Sequence, residues 1–199
     1  MSSAALSDRA QARRQQVLEA AADCFRRRGF HGASMAEIAK TAGMSPGHIY
    51  NLFENKDDVI AAIVERDRDD IVQRINEIQR ADDVLLAMLA GIEESVEETT
   101  QVADAALGLE VVAEASRNPK LAAVVQASET VIREKVMLLI RQALGPRADA
   151  LPTSEIEARA TVIGALFNGL MVMSVSQPHM DKAAVALVMQ RVIRAVLAD

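Results

Sequence analysis

The chain has 199 residues, half of them apolar, with four Phe, one Tyr, no Trp and a net charge of −6. That length can bury a sizeable core as one large domain or two small ones, and the single cysteine, Cys24, excludes an intramolecular disulfide. The acidic total argues against nucleic acid as a partner until it is divided. Residues 1–56 carry eight Lys or Arg against five Asp or Glu, and residues 57–199 carry fourteen against twenty-three. A mildly basic N-terminal module on an acidic body is the asymmetry expected when only one end meets nucleic acid.

In chain order, residues 1–10 read as a tail. They hold no apolar run long enough for a signal peptide, so a cytoplasmic location is expected. A first helix is expected over residues 10–28, closed by Gly29. Arg13 and Arg14 near its start are placed to reach phosphates, while Arg26, Arg27 and Arg28 complement the helix dipole at its end. Cys24, beside Phe25 in this pattern, reads as a small buried hydrophobe.

The stretch S-M-A-E-I-A-K-T-A-G-M-S-P-G-H-I-Y-N-L-F-E-N-K, residues 34–56, organises the rest. Ser34 and Glu37 form a capping box that starts a short helix, and Met35, Ile38, Ala39 and Ala42 give that helix one apolar face. Gly43 ends it in the left-handed conformation that a Cβ would penalise. Ser45 caps a second helix with Pro46 at its first position. Ile49, Leu52 and Phe53 point inward; Gly47, His48, Tyr50 and Asn51 point outward. Two short helices joined by a glycine turn make a helix-turn-helix, whose second helix enters the DNA major groove. A plain helical hairpin gives no reason for residues 46–53 to offer hydrogen-bonding groups without one Asp or Glu, which phosphates would repel. Ser34 and Ser45, at helix N-termini, suit phosphate oxygens. Tyr50 and Lys56 are expected to hold the DNA backbone, and Pro46, Gly47, His48 and Asn51 to approach base edges.

This motif resembles that of the TetR/AcrR family of bacterial transcriptional regulators. The matching residues are Ser34, E-I-A at 37–39, A-G-M-S at 42–45, G-H-I-Y at 47–50 and F-E-N-K at 53–56, preceded by Val17, Leu18, Ala21, Ala22, Phe25 and R-G-F at 28–30. The resemblance covers residues 11–71; beyond them only helix count and scattered features correspond. His48 departs from the family, which more often has Thr, Ser or Ala there, so the base preference stays open. The resemblance implies a DNA-binding domain over 11–71 and a ligand-binding and dimerisation domain over 72–199, joined by the fourth helix. It implies a regulator of double-stranded operator DNA, in most members a repressor released by ligand and in some an activator.

The fourth helix opens at Lys56 and Asp57 and carries the apolar stripe Val59, Ile60, Ile63, Val64, Ile71, Ile75 and Ile78. Asp82 and Asp83 cap a fifth. A sixth spans residues 102–116. Asn118 and Pro119 open a seventh that ends at Gly145-Pro146, with Leu121, Val125, Ile132, Val136, Leu139 and Ile140 facing inward. Ser154 and Glu157 form a second capping box for an eighth helix running to about residue 177, and Asp181 caps a ninth. The fold class is therefore all-α with about nine helices. Residues 160–180 contain no Lys, Arg, Asp or Glu, long enough to span a bilayer. Thr161, Asn168, Ser174, Ser176, Gln177 and Pro178 interrupt them, so a buried helix or an interface fits better than a membrane.

Catalysis finds no motif here. His31, His48 and His179 lie in separate elements, and no metal-ligand spacing, cofactor loop or nucleophile motif occurs. An enzyme on the same body, or a binding protein that no longer reads DNA, remains the alternative. A pocket for a small hydrophobic effector is expected among the fifth to eighth helices, lined by Met88, Ile92, Leu107, Val111, Met137, Phe167 and Met171, with Glu110 and Glu114 able to meet a cationic group. C-terminal to Phe53, Phe167 is the only Phe, Tyr or Trp, so methionines rather than stacked rings form the walls and an aliphatic, flexible effector is favoured. A homodimer is expected through the last two helices. Gly164 and Gly169 allow close approach, Leu187, Gln190, Arg191 and Arg194 form a rim, and Val185, Met189, Val192 and Val196 pack inward.

Overall fold

The computed structural model describes residues 3–198, with side chains over 9–197. Among these residues lie ten α-helices, one short 3-10 helix and no strand. The helices are α1 (Ser3–Gly32), α2 (Met35–Thr41), α3 (Pro46–Tyr50), α4 (Lys56–Ile78), α5 (Val84–Ala90), α6 (Ile92–Thr99), α7 (Val102–Ala115), α8 (Pro119–Leu144), α9 (Thr153–Ser176) and α10 (Lys182–Ala198), with the 3-10 helix at Gly145–Ala150. The count of nine becomes ten only because the fifth helix breaks at Gly91. The backbone there stays right-handed at φ −76° and ψ −6°.

Capping chemistry sets most boundaries. Asp83 accepts from the Leu86 N–H at 2.9 Å, Asn118 from those of Lys120 and Leu121, and Asp181 from that of Ala184 at 2.9 Å. Two expectations are corrected. Helix α1 begins at Ser3 and leaves no tail over residues 3–10, since the Ala-rich start contains no breaker. The Ser154–Glu157 box does not form. Pro152, extended at φ −65° and ψ 151°, is the residue before the helix, which puts Ser154 inside the first turn where its hydroxyl cannot cap.

The chain divides into two compact units. One comprises the residues up to Arg66 together with Glu110–Val125; the other comprises Asp67–Leu109 and the residues from Gln126 onward. Helices α4, α7 and α8 each give one end to each unit. In the first unit Phe25, Ile38, Ile49, Ile60 and Ile63 are fully buried, and each such side chain contributes about 1.5–3 kcal/mol. In the second, one core joins Val96 of α6, Leu139 and Ile140 of α8, Ile156 of α9, and Ile193 and Leu197 of α10. Arg159 is buried here too, its guanidinium donating to Glu155 and to the Val196 carbonyl. The inward line of α10 is Ala186, Met189, Ile193 and Leu197. Val192, expected inward, is 37% exposed because this line lies one residue round the helix from the expected stripe.

Candidate nucleic-acid interface

Within the first unit, α2 and α3 are joined by a turn whose geometry follows from one glycine. Gly43 sits at φ 64°. The Met44 N–H donates to Ala39 O at 2.9 Å and that of Gly43 to Lys40 O at 3.2 Å, the paired bonds of a Schellman C-cap. Ser34 Oγ accepts from the Glu37 N–H and Ser45 Oγ from the His48 N–H, so both helix starts are capped as their sequence demands. The Glu37 carboxylate does not return to the cap. It pairs with Arg28 at 2.9 Å and ties α2 to α1. Gln16 does the same for the turn, donating to the Ala42 carbonyl at 2.8 Å.

The result is a rigid mount with one bare face. Ile49 is fully buried beneath α3, while Pro46, Gly47, His48, Tyr50 and Asn51 are exposed. A Cβ placed on Gly47 would meet nothing within 4 Å, which leaves room for close approach of a ligand backbone or base. Ser34 and Ser45 are exposed at the two helix starts. Arg14 lies over the Phe53 ring at 4.6 Å from its centroid. The Arg27 guanidinium is held above its ordinary value by its hydrogen bond to Asp23.

Lys56 is placed differently from its expected phosphate contact. Its ammonium donates to the carbonyls of Phe30 at 2.7 Å, Ala33 at 2.8 Å and His31 at 3.4 Å, and lies 4.8 Å from the Phe30 ring centroid. It therefore satisfies the carbonyls left over where α1 ends. Asn55 caps α4 by accepting from the Asp58 N–H, and the Asp58 carboxylate accepts from the Glu54 N–H.

Glu110 is also placed differently from its expected role beside an effector. Gly29 has φ 71° and ψ 166°, a region open essentially to glycine alone. That conformation turns the Phe30 N–H out of α1, and the Glu110 carboxylate accepts it at 2.6 Å. Glu114, one turn on, meets His31 at 3.0 Å and Arg117 at 3.1 Å, and Asn118 donates to Asp57 at 3.0 Å. Nothing in the sequence pairs residues eighty positions apart, so this seam was not foreseen.

Of the remaining expected lining residues, Val111 lies in the first unit with Glu110, whereas Met88, Ile92, Leu107, Met137, Phe167 and Met171 lie in the second. Met88 and Ile92 belong to its core, with Met137 and Phe167 half-buried against it. Gly108 marks a close approach of α7 to α9, since a Cβ there would lie 2.8 Å from Met171 Sδ. Gly164, Gly169, Leu187 and Arg191 are all exposed. Among the described residues no three His, Cys, Asp or Glu side chains converge as a metal site. One described helix, α9, is long and apolar enough to cross a membrane.

Comparison with known proteins gives two family matches. Residues 17–63 match the profile described as bacterial regulatory proteins, tetR family, and residues 77–198 match the BetI-type transcriptional repressor C-terminal profile. The HTH-type transcriptional regulator UidR of Escherichia coli K12 is 34% identical over 134 residues, 67% of each chain. The solved structure of Salmonella enterica GusR superposes with a TM-score of 0.76 at 24% identity, covering 94% of this chain and 96% of that one. FadR from Bacillus subtilis in complex with stearoyl-CoA superposes with a TM-score of 0.76 at 16% identity, covering 90% and 96%.

Proposed function

The chain belongs to the TetR family of bacterial regulators and is a DNA-binding transcriptional regulator, not an enzyme; from that premise we propose that it is a ligand-released repressor that binds a two-fold operator as a homodimer. The observation that carries the reading is the exposed, carboxylate-free face of α3 on a mount capped at both helix starts. Pro46, Gly47, His48 and Asn51 read base edges there, and Ser34, Ser45 and Tyr50 hold phosphates. A single helix-turn-helix reads too few bases for a useful site, so two copies must present paired half-sites.

The dimer uses the outer faces of α9 and α10. Val162, Val172, Leu187 and Val188 are each 46–56% exposed on a single chain, an apolar surface rarely left in water. Pairing these faces across a two-fold axis buries it, with Gly164 and Gly169 permitting close contact and Arg191 at the rim. This pairing also accounts for an apolar α9 without a membrane. A cytoplasmic location follows from the function.

The effector is a small, flexible, largely aliphatic molecule held in the body among Met88, Leu107, Met137, Phe167 and Met171. A neighbour of the same fold holds stearoyl-CoA, which supports a long apolar cargo for this architecture. Its signal travels along α4, α7 and α8, which are continuous from one unit into the other. Fluorescence anisotropy with DNA from upstream of the chain's own gene, combined with sedimentation, tests the reading. Sequence-selective binding by a dimer is expected. A monomer at micromolar concentration, or equal affinity for unrelated DNA, would refute it.

A further inference from the structure

Helix α8 presents a line of residues to the interior of the body, and two members of that line are polar. At 100° per residue, Ser128, Ile132, Lys135 and Leu139 fall within one narrow arc. Ser128 is 4% exposed and Leu139 also 4%. Lys135, between them along the helix and at the edge of the arc, is half-buried. One of the two is unsatisfied and the other lacks a counter-charge. Ser128 Oγ is buried with no hydrogen-bond partner. Lys135 Nζ donates to Asn76 Oδ1 on α4 at 3.2 Å, a neutral acceptor, and among the described residues no carboxylate lies within 4.0 Å of it. The buried Ser128 hydroxyl without a partner carries a desolvation cost, and the Lys135 ammonium is met by a neutral amide in place of a counter-charge. Seven residues separate them, about 10.5 Å along the helix, and the same unit holds half-covered apolar side chains packed against its core: Ile71 on α4, Val136 on α8, Phe167 and Leu170 on α9.

From this placement we propose that Lys135, supported by Asn76, and Ser128 are the polar anchors of the effector site, and that the effector is an amphipathic organic acid whose carboxylate meets the Lys135 ammonium. The inference rests on the reading of the body as an effector domain and adds the ligand's charge. The carboxylate supplies the missing counter-charge through a charge-assisted hydrogen bond. The Ser128 hydroxyl meets a second polar group of the ligand, and the half-covered apolar side chains take its tail. The site excludes cations by like charge at Lys135 and favours acids over neutral molecules of the same shape.

Calorimetry on the full-length protein without DNA tests this, with octanoate, decanoate and dodecanoate as probes against decanol, decyltrimethylammonium and decanoyl-CoA. At least one acid is expected to bind about tenfold or more tighter than the alcohol, the scale of one hydrogen bond to a charged group. Lys135→Met should erase that preference and Lys135→Arg keep it, while Ser128→Ala weakens binding several-fold. Operator affinity of the empty protein should be unchanged in all three. Lys135→Met should also melt no lower than wild type, because it removes an uncompensated charge. Equal binding of acid and alcohol, absence of binding by every acid, preference for the thioester, or a marked loss of melting temperature in Lys135→Met would each overturn the assignment. None of these outcomes touches operator binding, so the regulator reading stands or falls separately.

Discussion

Lys56→Met separates two roles that a lysine at the start of α4 can play. Methionine keeps the apolar stem and removes the ammonium. The structure gives that ammonium two short bonds, to Phe30 O at 2.7 Å and Ala33 O at 2.8 Å, and a place 4.8 Å from the Phe30 ring centroid. Hydrogen bonds to a charged group contribute about 1.5–3 kcal/mol each and an exposed cation–π contact about 0.5–1 kcal/mol. Lys56 is half-buried and the freed carbonyls can in part recruit water, so the net loss should be about 2–3 kcal/mol. At about 2–4 °C per kcal/mol for a chain of this size, the melting temperature should fall by roughly 5–10 °C. Differential scanning calorimetry measures this. Operator affinity measured from low to moderate salt gives the complementary readout. If Lys56 works as a staple for the end of α1, the slope of log affinity against log salt stays as in wild type. If instead it neutralises a phosphate, the slope flattens by about 0.9. An unchanged melting temperature with a flattened slope would refute the staple.

Gly29→Ala should destabilise the first unit by about 1–3 kcal/mol, because the conformation at φ 71° and ψ 166° excludes a Cβ; that Cβ would also lie 2.8 Å from the Glu110 carboxylate. Chemical denaturation checks it, and Glu110→Ala should cost less, since it leaves the backbone unstrained. His48→Ala should change relative affinities among operator variants by about 1–3 kcal/mol at the contacted base; a uniform loss across all sequences would remove His48 from base reading. Leu187→Glu should convert the dimer to monomer in sedimentation and abolish tight operator binding while leaving helicity by circular dichroism intact. Phe167→Ala should blunt effector release of DNA with little change in the affinity of the empty protein, as titration of effector into the DNA complex would show.

The helix-turn-helix was legible because every determinant of it is local. Ser34, Gly43, Ser45 and Pro46 act within four residues of their own positions, and each appears where its chemistry placed it. The same holds for Asp83, Asn118 and Asp181. The positions whose partners were not legible are those that depend on a distant neighbour. Lys56 looked free because its acceptors lie more than twenty residues upstream, at carbonyls that carry no side-chain signature. Glu110 looked like a solvated or ligand-facing acid because its partner is the backbone N–H of Phe30. The inward line of α10 shifted because Val185, Val192 and Val196 are no more apolar than Ile193 and Leu197, and only packing chooses between overlapping stripes. Lys135 is illegible for the opposite reason: the stripe of α8 is defined by its apolar members, and a lysine within that arc carries no apolar signal.

Two of these positions, Glu110 and Lys135, bear on how a regulator of this design switches. Gly108 and Glu110 are two residues apart on α7, about 3 Å along its axis. The first lies in the body, where Met171 crowds it so closely that no Cβ fits without movement. The second lies in the unit that carries the helix-turn-helix, where its carboxylate holds the Phe30 N–H at 2.6 Å. A helix does not compress over half a turn. A ligand that displaces Met171 must therefore either shift α7 bodily or leave Glu110 where it is. In the first case the Glu110–Phe30 bond strains or breaks, and the Gly29 turn beneath it is the one segment of α1 already outside helical geometry. In the second, the effector has no path through α7 and must act through α4 or α8, whose own ties are Asn76–Lys135 in the body and Asp57–Asn118 in the DNA-binding unit. Each of those ties is a hydrogen bond between half-buried polar groups rather than interlocked core, and such a bond can be exchanged for one to water or ligand at modest energetic cost. By this second route the proposed switch needs no deformation of either hydrophobic core. It needs only that ligand binding favour one pairing of a few polar groups over another.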